Sequence, residues 1–266
     1  MKKYIFMAVA GMPALSSCAN DNDEIIAKNA PQQMTFTAAF GDNAQTRTTL
    51  DGTTRKVSFD AGDAISILSA SNNNVKFTTT EGGASASFDG WAGTDPTYYA
   101  VYPYTDGLTL SGTTISGVKI PLFQDAAVTS TCGWDPKAPI AYATTTGTSL
   151  QFHNACALLK ITNGRDDAFA ISVRCDQALT GTFSLDTSSG TLTFSGTVSA
   201  TDKQATVNNV PSGKTIYIAI APGTKTNFKA RWSDGVDGYQ KSKSSVTFEA
   251  GKIYDLGNTN EWTEAL

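Results

Sequence analysis

From Met34 onward, apolar and polar residues alternate in short runs. Met34, Phe36, Ala38 and Phe40 fall on one face of an extended chain, and Thr35, Thr37 and Ala39 on the other. That period of two predicts a half-buried β-strand. The polar run GDNAQTR follows it and ends at Arg47. KVSFDAGDAISIL (56–68) predicts two more strands: Val57 and Phe59 alternate, Ala61-Gly62-Asp63 turns the chain, and Ile65 and Ile67 resume. NVKFTTT, ASASF, the aromatic TYYAVYPY (97–104) and SGVKIPLFQ (116–124) continue the series. Between Gln124 and Ile140 the pattern lapses, and two prolines among turn residues predict a long loop or a short helix.

Strands resume near Ser149 with LQFHNACALLKITN and run through FAISVRC, LTGTFSL, TLTFSGTV, KTIYIAIAPG, NFKARW and SVTFEAGKIYDL. No stretch beyond the N-terminus keeps a helical period. Short β-branched runs bounded by Gly, Asn, Asp and Ser predict an all-β sandwich fold. The break at TTTGT (144–148) divides the chain into two expected domains, 34–146 and 147–266. VSFDAG (57–62) and VTFEAG (246–251) echo each other. In both, a strand closes on an acidic residue and a Gly able to adopt positive φ.

The N-terminus reads differently. Lys2 and Lys3 precede an apolar stretch from Tyr4 to Leu15, too short to span a bilayer and of the length of a signal-peptide core. It ends in LSSC, where Leu15, two small residues and Cys18 resemble a bacterial lipobox. Residues 1–17 are then a lipoprotein signal peptide and Cys18 the lipidated residue; the alternative is an ordinary cleavage site with a chance Cys. Each buried lipid methylene contributes about 0.8 kcal/mol, so a multiply acylated Cys is a firm anchor. Asp21, Asp23 and Glu24 follow within a polar tether, 18–33. They read either as a solvated run or as the acidic surface-export tag of Bacteroidota lipoproteins.

Composition narrows the chemistry. The chain has 266 residues, of which 17% are charged, and a formal net charge of −4. That fits a soluble extracytoplasmic protein and leaves no basic stripe for nucleic acid. The single histidine, His153, sits in the most apolar strand of the second half and reads as structural. No GxSxG elbow, phosphate loop or metal-ligand spacing occurs, and SDGVDG (233–238) lacks the length and final Glu of a calcium loop. The expectation is a non-enzymatic protein with no cofactor and no metal.

Besides Cys18 there are Cys132, Cys156 and Cys175. If NGRDD (163–167) is a hairpin turn, Cys156 and Cys175 fall almost opposite each other and could form a disulfide. The alternative is buried free thiols packing as small hydrophobes.

Taken in order, TFTAAF, TRTTLDG, VSFDAGDAISI, YYAVYPY, IPLFQ, LQFHNACALLKITN, LTGTFSL, IAIAPG and FEAGKIYDL resemble the fimbrillins, the type V pilins and fimbrillin-like lipoproteins of Bacteroidales. That resemblance spans residues 34–257. It implies two tandem β-sandwich domains of transthyretin-like topology, carried as a lipoprotein to the outer membrane and exposed on the surface as part of a fimbrium. It further implies proteolysis after an Arg in the loop behind the first strand. Arg47, followed by Thr48, matches that position; Arg55 is the alternative. The first strand, with Met34, Phe36, Ala38 and Phe40, would then leave, and a strand from another pilin subunit would fill its place.

The chain departs from the polymerising pattern after GKIYDL, where GNTNEWTEAL offers only Trp262 and Leu266 as large apolar groups. It is therefore expected to accept a strand rather than donate one, as a tip or accessory subunit does. The rival is a free-standing lipid-anchored module that binds glycans or host proteins through Trp91, Tyr98, Tyr99, Trp134 and Trp232. A host or bacterial surface receptor is the expected outside partner in either case.

Overall fold

The structure, a computed structural model, describes residues 30–41, 58–125 and 132–265. Among these residues the chain is all-β. Its strands are β1 (Gln32–Phe40), β2 (Ala64–Leu68), β3 (Val75–Thr78), β4 (Ser85–Ala92), β5 (Tyr98–Tyr102), β6 (Thr109–Ser111) and β7 (Thr114–Ile120). Then come β8 (Cys132–Trp134), β9 (Ala141–Thr145), β10 (Ser149–Asn154), β11 (Ala157–Thr162), β12 (Ala168–Arg174), β13 (Gly181–Asp186) and β14 (Thr191–Phe194). The last are β15 (Gln204–Val210), β16 (Thr215–Ile220), β17 (Gly223–Ser233), β18 (Gly238–Phe248), β19 (Ile253–Asn258) and β20 (Thr263–Glu264), with a short 3-10 helix at Thr259–Glu261.

Seven strands close into a barrel in the order β1-β10-β9-β5-β2-β3-β4. Its interior is aromatic: Phe36, Phe59, Phe77, Phe88, Tyr98, Tyr102 and Phe152 are buried there with Ile65, Ile67 and Leu150. β10 follows the TTTGT break yet returns to this barrel, pairing parallel with β1 and antiparallel with β9. β7 in turn pairs with β13. Hydrogen bonding therefore crosses the expected 146/147 boundary in both directions.

The rest forms three layers. A central sheet, β19-β11-β16-β8, lies between the sheet β14-β13-β7-β6 and the sheet β15-β12-β17-β18-β20. Leu159, Ile161, Ile216, Ile218 and Ile220 meet Ile171, Val173, Phe228 and Trp232 on one side. Leu158, Tyr217 and Ala219 meet Val118, Phe183 and Leu185 on the other. A sheet buried on both faces needs continuous apolar runs rather than alternation, and ACALLKI and TIYIAIA are such runs.

The segment expected to be a loop or a short helix contributes a strand instead, since β8 pairs parallel with β16. The two echoed turns share one geometry. Gly62 and Gly251 have φ of 94° and 72°. Each turn closes from the residue after its glycine, Asp63 N–H to Asp60 C=O at 3.1 Å and Lys252 N–H to Glu249 C=O at 3.4 Å.

The double-sided core sets a stability expectation. Leu159→Ala removes a fully buried side chain and should cost about 2–5 kcal/mol. Phe169→Ala, at a position 63% exposed, should stay within about 0.5 kcal/mol. Urea unfolding of the two variants checks both values.

Candidate functional site

β1 is the seam of the barrel. It runs antiparallel to β4 from Gln32 opposite Ala92 to Ala39 opposite Ser85, and parallel to β10 from Thr37 opposite Ser149 to Phe40 opposite Phe152. Phe36 and Ala38 are fully buried, Met34 and Phe40 are partly buried against the same core, and Thr35 and Thr37 face outward. The alternation expected for 34–40 is present.

The inward side chains join a ring network. Phe36 meets Phe77 and Tyr98 edge-on, at 5.2 and 5.1 Å between centroids. Phe40 stacks on Phe59 at 4.8 Å and approaches Phe152 at 5.8 Å and Tyr102 at 6.1 Å. Such pairs contribute about 0.5–1.5 kcal/mol beyond their area burial. Opposite Met34 sits Gly90. A Cβ there would lie 2.7 Å from the Phe77 ring, so the missing side chain is what lets that ring lie flat under the strand.

A polar clamp holds the start of β1. Gln32 Nε2 donates to Thr94 Oγ1 at 2.8 Å. Asn72 bridges Gly93, receiving its N–H at 2.7 Å and donating to its C=O at 3.0 Å. The Tyr98 hydroxyl donates to the same carbonyl at 3.1 Å and contacts Met34 Sδ at 3.8 Å. Asp95 accepts from Ser69 Oγ at 2.6 Å and Asn72 Nδ2 at 3.0 Å, and from Ser71. Burial alone would raise the Asp95 carboxyl, but these hydrogen bonds outweigh it and hold the group below the usual carboxylate range.

Cys18, Arg47, Thr48 and Arg55 lie outside the described residues. Their expected lipidation and cleavage are sequence readings.

Of the two readings of Cys156 and Cys175, the structure has the one without a bridge: both are buried and not joined to each other. NGRDD is not a hairpin turn. It carries the chain from β11 in the central sheet to β12 in a different sheet, so the two cysteines belong to different cores. Cys175 Sγ–H donates to Gln177 C=O at 3.1 Å, and Cys156 Sγ accepts the Ile140 N–H at 3.3 Å.

That same turn clamps the C-terminal tail. The Arg165 guanidinium lies 3.3 Å from the Tyr239 ring centroid and donates to Thr259 C=O at 2.9 Å and Trp262 C=O at 3.3 Å. Trp262 is buried in the core, and Thr263–Glu264 adds an edge strand to β18. The described tail is thus docked within its own chain.

His153 is exposed on the barrel exterior with its ring 5.9 Å from Tyr142. Among the five aromatics read as a binding platform, Tyr98, Trp134 and Trp232 are buried, Tyr99 is half-buried and Trp91 alone is exposed. SDGVDG is the β17–β18 turn, with Asp234 accepting the Val236 and Asp237 N–H groups. Among the described residues no group of His, Cys, Asp and Glu side chains is arranged to hold a metal ion.

Two experiments probe the seam. Gly90→Val forces the buried Phe77 ring to shift and should cost about 1–3 kcal/mol, whereas Gly147→Ala, which meets nothing within 4 Å, should be neutral or slightly stabilising in the same urea unfolding series. The second concerns acid. Asp95 is depressed in the folded state, so its clamp is fully present above the unfolded value of about 4 and is lost as pH falls below that through the lowered folded value. Asp95→Asn should flatten the acid limb of a stability–pH curve and leave the rest of its shape unchanged.

No family model matches the chain, and no curated protein sequence matches it. Solved structures do. A Bacteroides uniformis protein described as a "putative cell adhesion protein" superposes with a TM-score of 0.51 at 17% identity, covering 88% of this chain and 96% of its own. A Bacteroides ovatus protein with the same description superposes with a TM-score of 0.50 at 15% identity, covering 89% and 95%. The chain has the fold of these Bacteroides proteins over nearly their whole length, and the fimbrillin resemblance read from its sequence agrees with that fold.

Proposed function

We propose that the protein is a pilus-type adhesion subunit of the bacterial surface that accepts a strand from another subunit. In this reading Cys18 carries the lipid that holds the precursor at the outer membrane. Cleavage between Arg47 and Thr48 then frees residues 34–40. The observation that carries the reading is β1 itself: a strand whose Phe36 and Phe40 complete the barrel core is followed at once by the polar segment ending in Arg47.

Its loss would unpair β4 along its length and β10 from Ser149 to Phe152, leaving a template for another chain. It would also empty the Phe36 and Phe40 positions. A buried Phe or Met contributes about 1.5–3 kcal/mol, so a replacement with apolar residues at alternate positions would be firmly held. Trp262 and Thr263–Glu264 are docked in their own core and sheet, so this stretch is not itself available as a strand for a neighbour, in keeping with a tip or accessory place. The fold shared with proteins described in terms of cell adhesion supports the surface role.

The test uses purified residues 19–266 and an Arg-specific protease. We expect a new N-terminus at Thr48, release of 34–40, and uptake of a labelled peptide of sequence 32–41. A peptide carrying Phe36→Glu and Phe40→Glu should not be taken up. No cleavage at Arg47, or a cleaved product that keeps its strand and takes up no peptide, would overturn the proposal.

A further inference from the structure

The outward face of the sheet β15-β12-β17-β18 carries a cluster of positive charge. Along β12 and β17, Ile171, Val173, Phe228, Ala230 and Trp232 point into the core. The alternate positions therefore point out, and among them are Arg174, Lys229 and Arg231. Lys203, just before β15, joins them. The four line one cleft of about 380 Å³.

Arg174 and Lys229 stand directly opposite each other in the ladder. Like charges in that relation destabilise a sheet. Among the described residues none of the four cations makes an ion pair, while Lys160 and Asp255 do pair, at 2.7 Å. One carboxylate, Asp176, lines the cleft and offsets one of the four charges; it accepts from Thr226 Oγ1 at 2.9 Å and Asn227 Nδ2 at 2.6 Å rather than from a cation. The chain as a whole is acidic, at −4. A concentration of unpaired cations on such a chain repels itself, and an anionic ligand would relieve that repulsion.

The lining also identifies the kind of anion. Arg presents a planar fork that fits sulfate and carboxylate oxygens in pairs, and Lys adds point charges. Asn227 and Gln240 bring side-chain amides to the same cleft, and Gln240 is opposite Arg231 in the ladder. Amides of this kind suit hydroxyl groups, which both donate and accept. No aromatic ring lines the cleft, so it lacks the stacking platform that single-stranded nucleic acid requires. Its non-polar lining is confined to Ala200 and Cys175, too little to bed an acyl chain.

We propose that this cleft binds an acidic carbohydrate, a glycan bearing sulfate or carboxylate groups. The site lies away from β1 and is independent of strand exchange. A subunit that never exchanged a strand would carry it equally.

The test is calorimetric titration of residues 19–266 with a sulfated hexasaccharide prepared from heparin, in about 0.05 M salt where screening is weak. Uncharged maltohexaose and a short single-stranded oligonucleotide serve as comparison ligands. We expect the sulfated sugar to bind, maltohexaose not to bind, and the oligonucleotide to bind more weakly than the sulfated sugar. Arg174→Ser combined with Lys229→Ser should weaken binding at least about tenfold, as loss of two charged hydrogen-bond donors implies. Lys119→Ser combined with Lys137→Ser, which removes the same charge from another exposed region, should leave it unchanged.

Both cleft residues are exposed, and without ligand their replacement should hold or raise Tm by removing the like-charge contact. Arg231→Ser provides a second probe of the same cleft and should also weaken binding. Four results would overturn the proposal: no binding of the sulfated sugar, equal losses in the two double variants, binding unaffected by both cleft variants, or an oligonucleotide bound as tightly as the glycan.

Discussion

Phe36 and Phe40 reach from β1 into the same ring network that Phe77, Tyr98, Tyr102 and Phe152 build from other strands of the barrel and Phe59 from the bridge before β2. The first strand is therefore both a wall and part of the filling. It supplies the hydrogen bonds that close the sheet between β4 and β10, and it supplies aromatic groups without which those walls would enclose a gap. Its ladder partners lie far along the sequence, so its attachment depends on packing and pairing rather than on the covalent chain beside it. A strand held in that way can be replaced by another with the same alternation.

The second half is organised by a different constraint. Its central sheet is covered on both faces, and β7 reaches across from the first half to help cover it. The barrel and the layers share no ladder; the chain passes between them, with β6, β7 and β8 in the layers and β9 and β10 back in the barrel. The C-terminal tail is fixed within this layered region, through Trp262 in the core and Arg165 over Tyr239.

Much of this was legible in the sequence where the pattern is local. The faces of β1 followed from Met34, Phe36, Ala38 and Phe40 alone, and the paired turns followed from Gly62 and Gly251. What escaped was non-local. β10 alternates as SLQFHN where β11 runs apolar as ALLKIT, but the two adjoin in LQFHNACALLKITN with no Gly or Pro to mark the change of sheets at Ala155–Cys156. NGRDD has the residues of a hairpin turn, yet it crosses between sheets, because Leu159 and Ile161 must face Ile171 and Val173 across a core rather than along a ladder. The cationic cleft was invisible for the same reason. Arg174, Lys203, Lys229 and Arg231 are spread over the sequence and meet only through strand register.

The most direct test of the central account is amide hydrogen exchange on β4 and β10, comparing the intact chain with one that begins at Thr48, and then with that shortened chain after addition of a peptide of sequence 32–41. If β1 is a replaceable seam, protection of Ser85–Ala92 and Ser149–Asn154 falls on its removal and returns with the peptide, while β11 and β16 stay protected throughout. Protection in β4 and β10 that is unchanged without β1, or that is lost across β11 and β16 as well, would contradict it.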